Sequence, residues 1–163
     1  MNYADFFNSR AFAVTDHQIA NVYTSGTESC ANAKGILQNL DGVAAVLGRT
    51  EQQALGAGHP SGGDLLLVAE KGAWFAYPWW NGKREAPDFA SHVDIHNKPG
   101  YDPCELFFGW PPMSVSTDVT RIRGTHGRGG DGNAIAWSSS LNFERCSSTF
   151  LELATATKSW LDA

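Results

Sequence analysis

The chain has 163 residues, a formal net charge of −5, and five histidines against three cysteines. That acidic balance leaves no electrostatic footprint for nucleic acid, and 42% hydrophobic content excludes general disorder. No apolar run approaches the roughly 20 residues that span a bilayer, and the scattered Cys30, Cys104 and Cys146 make neither a CxxC site nor a disulfide framework; one reduced, cytoplasmic domain, or part of a larger one, is expected.

Residues 1–10 carry no cap or strand signal, whereas Ala11-Phe12-Ala13-Val14 reads as an interior strand. Such an abrupt start is expected of a chain that enters in the middle of a fold. Residues 11–24 read as two short strands around a polar centre, Thr15-Asp16-His17-Gln18, ended by Ser25-Gly26. Residues 27–40 form a helix candidate with Thr27 as cap and Ala33, Ile36, Leu37 and Leu40 on one stripe. After the Asp41-Gly42 turn, 43–47 reads as a buried strand, and 50–55 as a short helix capped by Thr50. A loop over 56–63 contains His59. Residues 64–69 and 74–77 then read as strands of a hairpin. The order predicts a small α+β sandwich with helices on one sheet face.

The character changes at Pro78. Six of the seven prolines lie between Pro78 and Pro112, and four of the six tryptophans lie there or at Trp74 just before it. Aromatic content with little periodicity predicts a packed functional loop. A glycine-rich run over 124–132 follows, then a strand over 134–137 and an amphipathic helix over 149–161 with Phe150, Leu153 and Trp160 on one stripe. The chain divides on this reading into sections 1–80 and 81–163.

Chemistry concentrates in a few places. His126 stands in Gly124-Thr125-His126-Gly127, where small neighbours leave the imidazole unobstructed, and Arg121, Arg123 and Arg128 flank it. That pattern suits a metal ligand facing an anion, or a surface histidine in a glycine run. One histidine does not complete a metal site. Asp94 and His96 share a face if extended, as a metal pair, a base with its orienter, or a hydrogen-bonded support for the turn beyond them. Pro99, Gly100 and Pro103 pre-set where Lys98 and Tyr101 point, toward substrate or toward the loop itself. Asp16-His17 is the one adjacent Asp-His pair. Neighbours in a strand face opposite ways, so sharing an ion would require a turn here. His59 and His92 sit in loop contexts. Trp74, Trp79 and Trp80, with Phe75 and Tyr77, can stack a base or sugar or pack a core. No phosphate loop, dinucleotide fingerprint or Ser-His-Asp order is present.

At 11–23, 74–80, 86–90, 94–103 and Arg123-Gly-Thr-His-Gly127 the sequence resembles the C-terminal part of the nucleotide pyrophosphatase/phosphodiesterase-type proteins of the alkaline phosphatase superfamily. The resemblance runs over almost the whole chain. It implies an α/β fold: an α+β cap-like section over 1–80, then the C-terminal piece of an alkaline-phosphatase-like α/β/α sandwich. It implies hydrolysis of phosphoric ester or anhydride bonds with two divalent metals, usually zinc, one of them held by the residue matching His126. The family's nucleophile and remaining ligands belong to an N-terminal half, expected here on a separate chain or lost by truncation. Asp16-His17 is followed by Gln18 where the family's ligand motif has glycine; Asp16 and His17 are candidate ligands. Asp94, His96, Lys98, Tyr101 and Arg123 are candidate substrate contacts or supports. The expected partner is a phosphoester or nucleotide substrate. The alternative is a catalytically dead nucleotide- or phosphate-binding module.

Overall fold

The computed structural model describes residues 5–80, 82, 84–88, 125–130, 136–141 and 149–162, together with the strand backbone of 107–109 and 114–116. Two compact units divide at Gly129/Gly130. In the first, β1 (Ala11–Asp16) turns into β2 (Ile19–Thr24), followed by α1 (Thr27–Leu37), β3 (Val43–Leu47), α2 (Arg49–Ala54) and β4 (Leu65–Ala69). The fold is mixed α/β, as expected: a four-stranded antiparallel sheet in the order β1-β2-β4-β3, with helices.

Alternation along the strands builds the core. Ala20 and Val22 of β2 face the same way as their partners Leu67 and Leu65 of β4, and Val46 of β3 pairs with Leu67. These five side chains are buried together, and Cys30, Ala33 and Leu37 of α1 pack onto them with Val43 and Phe75. The helix is thus held by one face of the sheet. Its expected stripe is narrower than the periodicity indicated: Ile36 and Leu40 are exposed. Gly26, at φ 111, caps α1 in place of Thr27. Gly48 caps α2 in place of Thr50, and the Glu51 carboxylate accepts its main-chain N–H. α1 thus begins one residue, and α2 two residues, earlier than a threonine cap would place them.

Strand order corrects three expectations. β1 is an outer strand with Ala11, Ala13 and Val14 exposed, and it is not interior. β3 is the opposite outer strand, where Val46 alone is buried. Residues 74–77 form no strand, because β4 already pairs on one side with β2 and on the other with β3. The Phe75 N–H instead donates to the His17 carbonyl at 2.6 Å.

Inside the segment from Pro78 to Pro112, where no regular element was expected, lies β5 (Phe107–Gly109), which pairs antiparallel with β6 (Ser114–Ser116) just beyond it. Of the strand expected over 134–137, Ala136 and Trp137 are described and are not in a strand. In the second unit α3 (Phe150–Leu161) begins at Thr149, whose hydroxyl accepts from the Glu152 N–H at 3.1 Å while Glu152 accepts from the Thr149 N–H at 3.2 Å. That reciprocal capping box explains the helix start.

Candidate metal centre

The β1–β2 connection is two residues long, His17 and Gln18, between the paired Asp16 and Ile19. His17 has φ 54, and among the described residues no other non-glycine residue has a positive φ. A positive φ at the first turn position matches the right-handed twist of the hairpin, and glycine is the ordinary choice there. An imidazole occupies it here, at a cost of order 1–3 kcal/mol.

The turn also removes the objection that adjacent strand residues diverge. Asp16 projects from the sheet face opposite the α1 side, since its partner Ile19 alternates with buried Ala20. His17 leaves the strand plane and folds back, putting its Nδ1 at 3.3 Å from Asp16 Oδ1. The side chains are 52% exposed for Asp16 and 24% for His17, so ligand and solvent reach the pair.

His126 completes the group from far along the chain. Its carbonyl accepts the Gln18 N–H at 2.9 Å, and the Arg128 N–H donates to Gln18 Oε1 at 3.3 Å. The Arg128 guanidinium donates to the Ala69 carbonyl at 2.8 Å. Gly127, at φ 117, brings the loop so near the hairpin that an added Cβ would stand 3.3 Å from the Ile19 nitrogen. Here the positive φ favours glycine, and the close approach leaves little room for a side chain. Docked in this way, His126 Nε2 lies 4.0 Å from Asp16 Oδ1, and its ring centroid is 4.4 Å from that of His17.

Asp16, His17 and His126 each offer a donor atom within 4.8 Å of the others. Donors around a tetrahedral zinc at about 2.0–2.1 Å stand roughly 3.4 Å apart. The Asp16–His17 separation already fits, and the His126 ring has to move closer to both partners, its Nε2 standing 4.0 Å from Asp16 Oδ1. Two imidazoles and one carboxylate are the donor set of an open zinc site. Trp74 lies stacked against His17 with centroids 6.1 Å apart, and Tyr77 meets it edge-on at 6.0 Å. An aromatic wall thus borders the donors.

Comparison with known proteins finds no matching family model, no similar curated protein and no similar solved structure. The site is read from its own geometry.

Of the residues singled out in the sequence, Asp16, His17 and His126 come together. The Arg128 guanidinium donates to the Ala69 carbonyl and fastens the loop. Asp94, His96, Lys98, Tyr101, Arg121, Arg123 and His92 lie outside the described residues. His59 is apart from the group: its Nδ1 accepts the Ser61 N–H at 3.1 Å within its own loop. Sequence reasoning missed Gln18, which supplies both main-chain and side-chain anchors for the His126 loop. The available signal was the two-residue spacing between strands, which marks Gln18 as a turn residue with a free side chain.

Proposed function

We propose that this chain is the metal-binding, C-terminal portion of a metal-dependent phosphodiesterase or nucleotide pyrophosphatase. The supporting observation is the convergence of Asp16, His17 and His126 around one point, two residues from the hairpin and one from a loop more than a hundred residues later. A divalent ion such as zinc held there supplies Lewis-acid polarisation of a phosphoryl oxygen. The chain's own contribution is to hold the donors. The strained turn aims His17, Gln18 and Arg128 fix the His126 loop, and Trp74 and Tyr77 confine the His17 ring. On the family resemblance the nucleophile and a second set of ligands come from an N-terminal half, so turnover by residues 1–163 alone is expected to be negligible. The resemblance of the Gly-Thr-His-Gly loop to the alkaline phosphatase superfamily points the same way. Among the described residues no helix is long and apolar enough to cross a membrane. The free thiol of Cys30 suits a reducing cytoplasm.

Zinc titration by calorimetry tests the reading. One ion per chain is expected, and His126→Ala should weaken binding by at least tenfold. Absence of binding by the unmodified chain rejects the site. Metal-dependent cleavage of bis(p-nitrophenyl) phosphate by the chain alone rejects the assignment of the nucleophile to another half.

The aromatic wall favours a second reading, a catalytically inactive module for nucleotides or phosphorylated ligands, with a base stacked on Trp74. Nucleotide titration monitored by tryptophan emission separates the two. A change in emission that is independent of metal supports the second reading, and no change counts against it.

A further inference from the structure

We propose that β1 is a pairing edge through which two copies of this chain join their sheets into one continuous antiparallel sheet. β1 is an outer strand. The Ser25 N–H donates to the Arg10 carbonyl at 2.8 Å just beyond its end. Antiparallel pairs alternate between bonded and non-bonded positions, so the main-chain groups of Phe12, Val14 and Asp16 also turn toward β2. Those of Ala11, Ala13 and Thr15 turn outward, and among the described residues no hydrogen bond reaches them from outside the sheet. Two of the usual protections of an edge are absent from the strand itself. β1 has no proline or lysine, and its register with β2 runs without a bulge.

Charge and size select both the occupant and the register. A two-fold axis at Ala13 sets that residue against itself, Ala11 against Thr15 of the second copy, and Phe12 against Val14 of the second copy. The same register places Arg10 opposite the second copy's Asp16, on the same face as the Phe12–Val14 pairs. The outward amides and carbonyls of Ala11, Ala13 and Thr15 are then all opposed by their counterparts. Sliding by one pair in either direction opposes Arg10 to Val14 or Asp16 to Phe12, and the opposite charges no longer meet. Apolar surface is available for this contact: Val14 is 51% exposed, and Phe12 stands between Phe6 at 5.1 Å and Tyr23 at 5.2 Å.

The test is sedimentation velocity of the full chain over a concentration series, in chelator so that no ion bridges copies or occupies Asp16. The expected species has twice the 17.6 kDa mass of the chain. Ala13→Arg, at an exposed position, sets two cations against each other at the axis and should give monomer. Arg10→Glu should raise the dimer dissociation constant about tenfold, and adding Asp16→Arg should restore it. A chain that stays monomeric into the high micromolar range overturns the proposal, as does a dimer that Ala13→Arg leaves unchanged. If Ala13→Arg fails to fold, amide exchange in the unmodified chain decides: Ala11, Ala13 and Thr15 should exchange more slowly as concentration rises, and concentration-independent exchange overturns the proposal.

Discussion

Gln18 holds His126 twice over: its main-chain N–H donates to the His126 carbonyl at 2.9 Å, and its side-chain oxygen accepts from Arg128 two residues on. The residue next to one imidazole therefore sets the height of the other. His17 and Gln18 divide the work of a two-residue turn, the first presenting a donor atom and the second fastening the loop that presents another. Because both contacts are short-range and directional, small displacements of the loop translate into loss of the ligand set.

Gly127→Ala tests this fastening. At φ 117 a side chain is strained, and the added carbon meets the hairpin backbone at 3.3–3.4 Å. The expected cost is about 1–2 kcal/mol of folding free energy, with zinc affinity lowered several-fold although no donor is removed. Thermal melting and zinc titration of the same preparation check it. Unchanged zinc affinity would show that loop height does not govern the site.

His17→Gly is expected to act in opposite senses on stability and binding. Relief of the positive φ should offset glycine's greater chain entropy, leaving the metal-free chain equal or more stable by up to about 1 kcal/mol. Zinc binding should fall by at least tenfold, since a ligand is gone. Urea unfolding in chelator provides the first measurement and calorimetry the second. Clear destabilisation of the metal-free chain would show that the lost contacts of the ring with Asp16, Trp74 and Tyr77 outweigh the strain of the turn.

Gln52 is a buried polar side chain, 1% exposed. Its Nε2 donates to the carbonyls of Leu47 and Gly63 at 3.1 and 3.3 Å, and lies 3.4 Å from that of Asp64. It thus closes the 56–63 loop against the end of β3. Gln52→Leu keeps the volume and strands those carbonyls, a loss of about 1–3 kcal/mol. The urea midpoint should fall accordingly, and a shift within error would show that the carbonyls find water.

Glu51 gives a pH signature. Its carboxyl is held below the ordinary glutamate range, first by the Gly48 N–H and then by Lys34 at 3.4 Å. A group whose folded pKa is depressed contributes stability above its unfolded pKa, and that contribution disappears as pH falls through the folded value. Glu51→Gln should therefore be less stable than the unmodified chain at neutral pH, with the gap closing in acid. Urea midpoints at neutral pH and at about pH 3 check it. A gap that is constant with pH would assign the effect to something other than the charge.

Much of the secondary structure was legible because it is decided locally. Alternating apolar residues on either side of Asp16-His17-Gln18 mark two strands, Asp41-Gly42 marks a turn, and Thr149 with Glu152 marks a helix start. Each of these signals acts over a few residues. The same sequence misread Trp74-Phe75-Ala76-Tyr77 as a strand. Its residues have strand propensity, but the neighbouring strand has no free side, and only the pairing of β4 with β2 and β3 makes that visible.

Asp16, His17 and His126 were each legible as reactive types and illegible as a group. Sequence determines that a carboxylate and an imidazole are adjacent, and that a third donor lies in a glycine-bounded loop. Only the tertiary structure decides that the first two share an approach, because His17 adopts φ 54 and turns back on Asp16. Bringing His126 to them required Gln18, Gly127 and Arg128 to act across residues distant in the chain. Such contacts depend on the hairpin and β4 already being in place, so no local pattern encodes them.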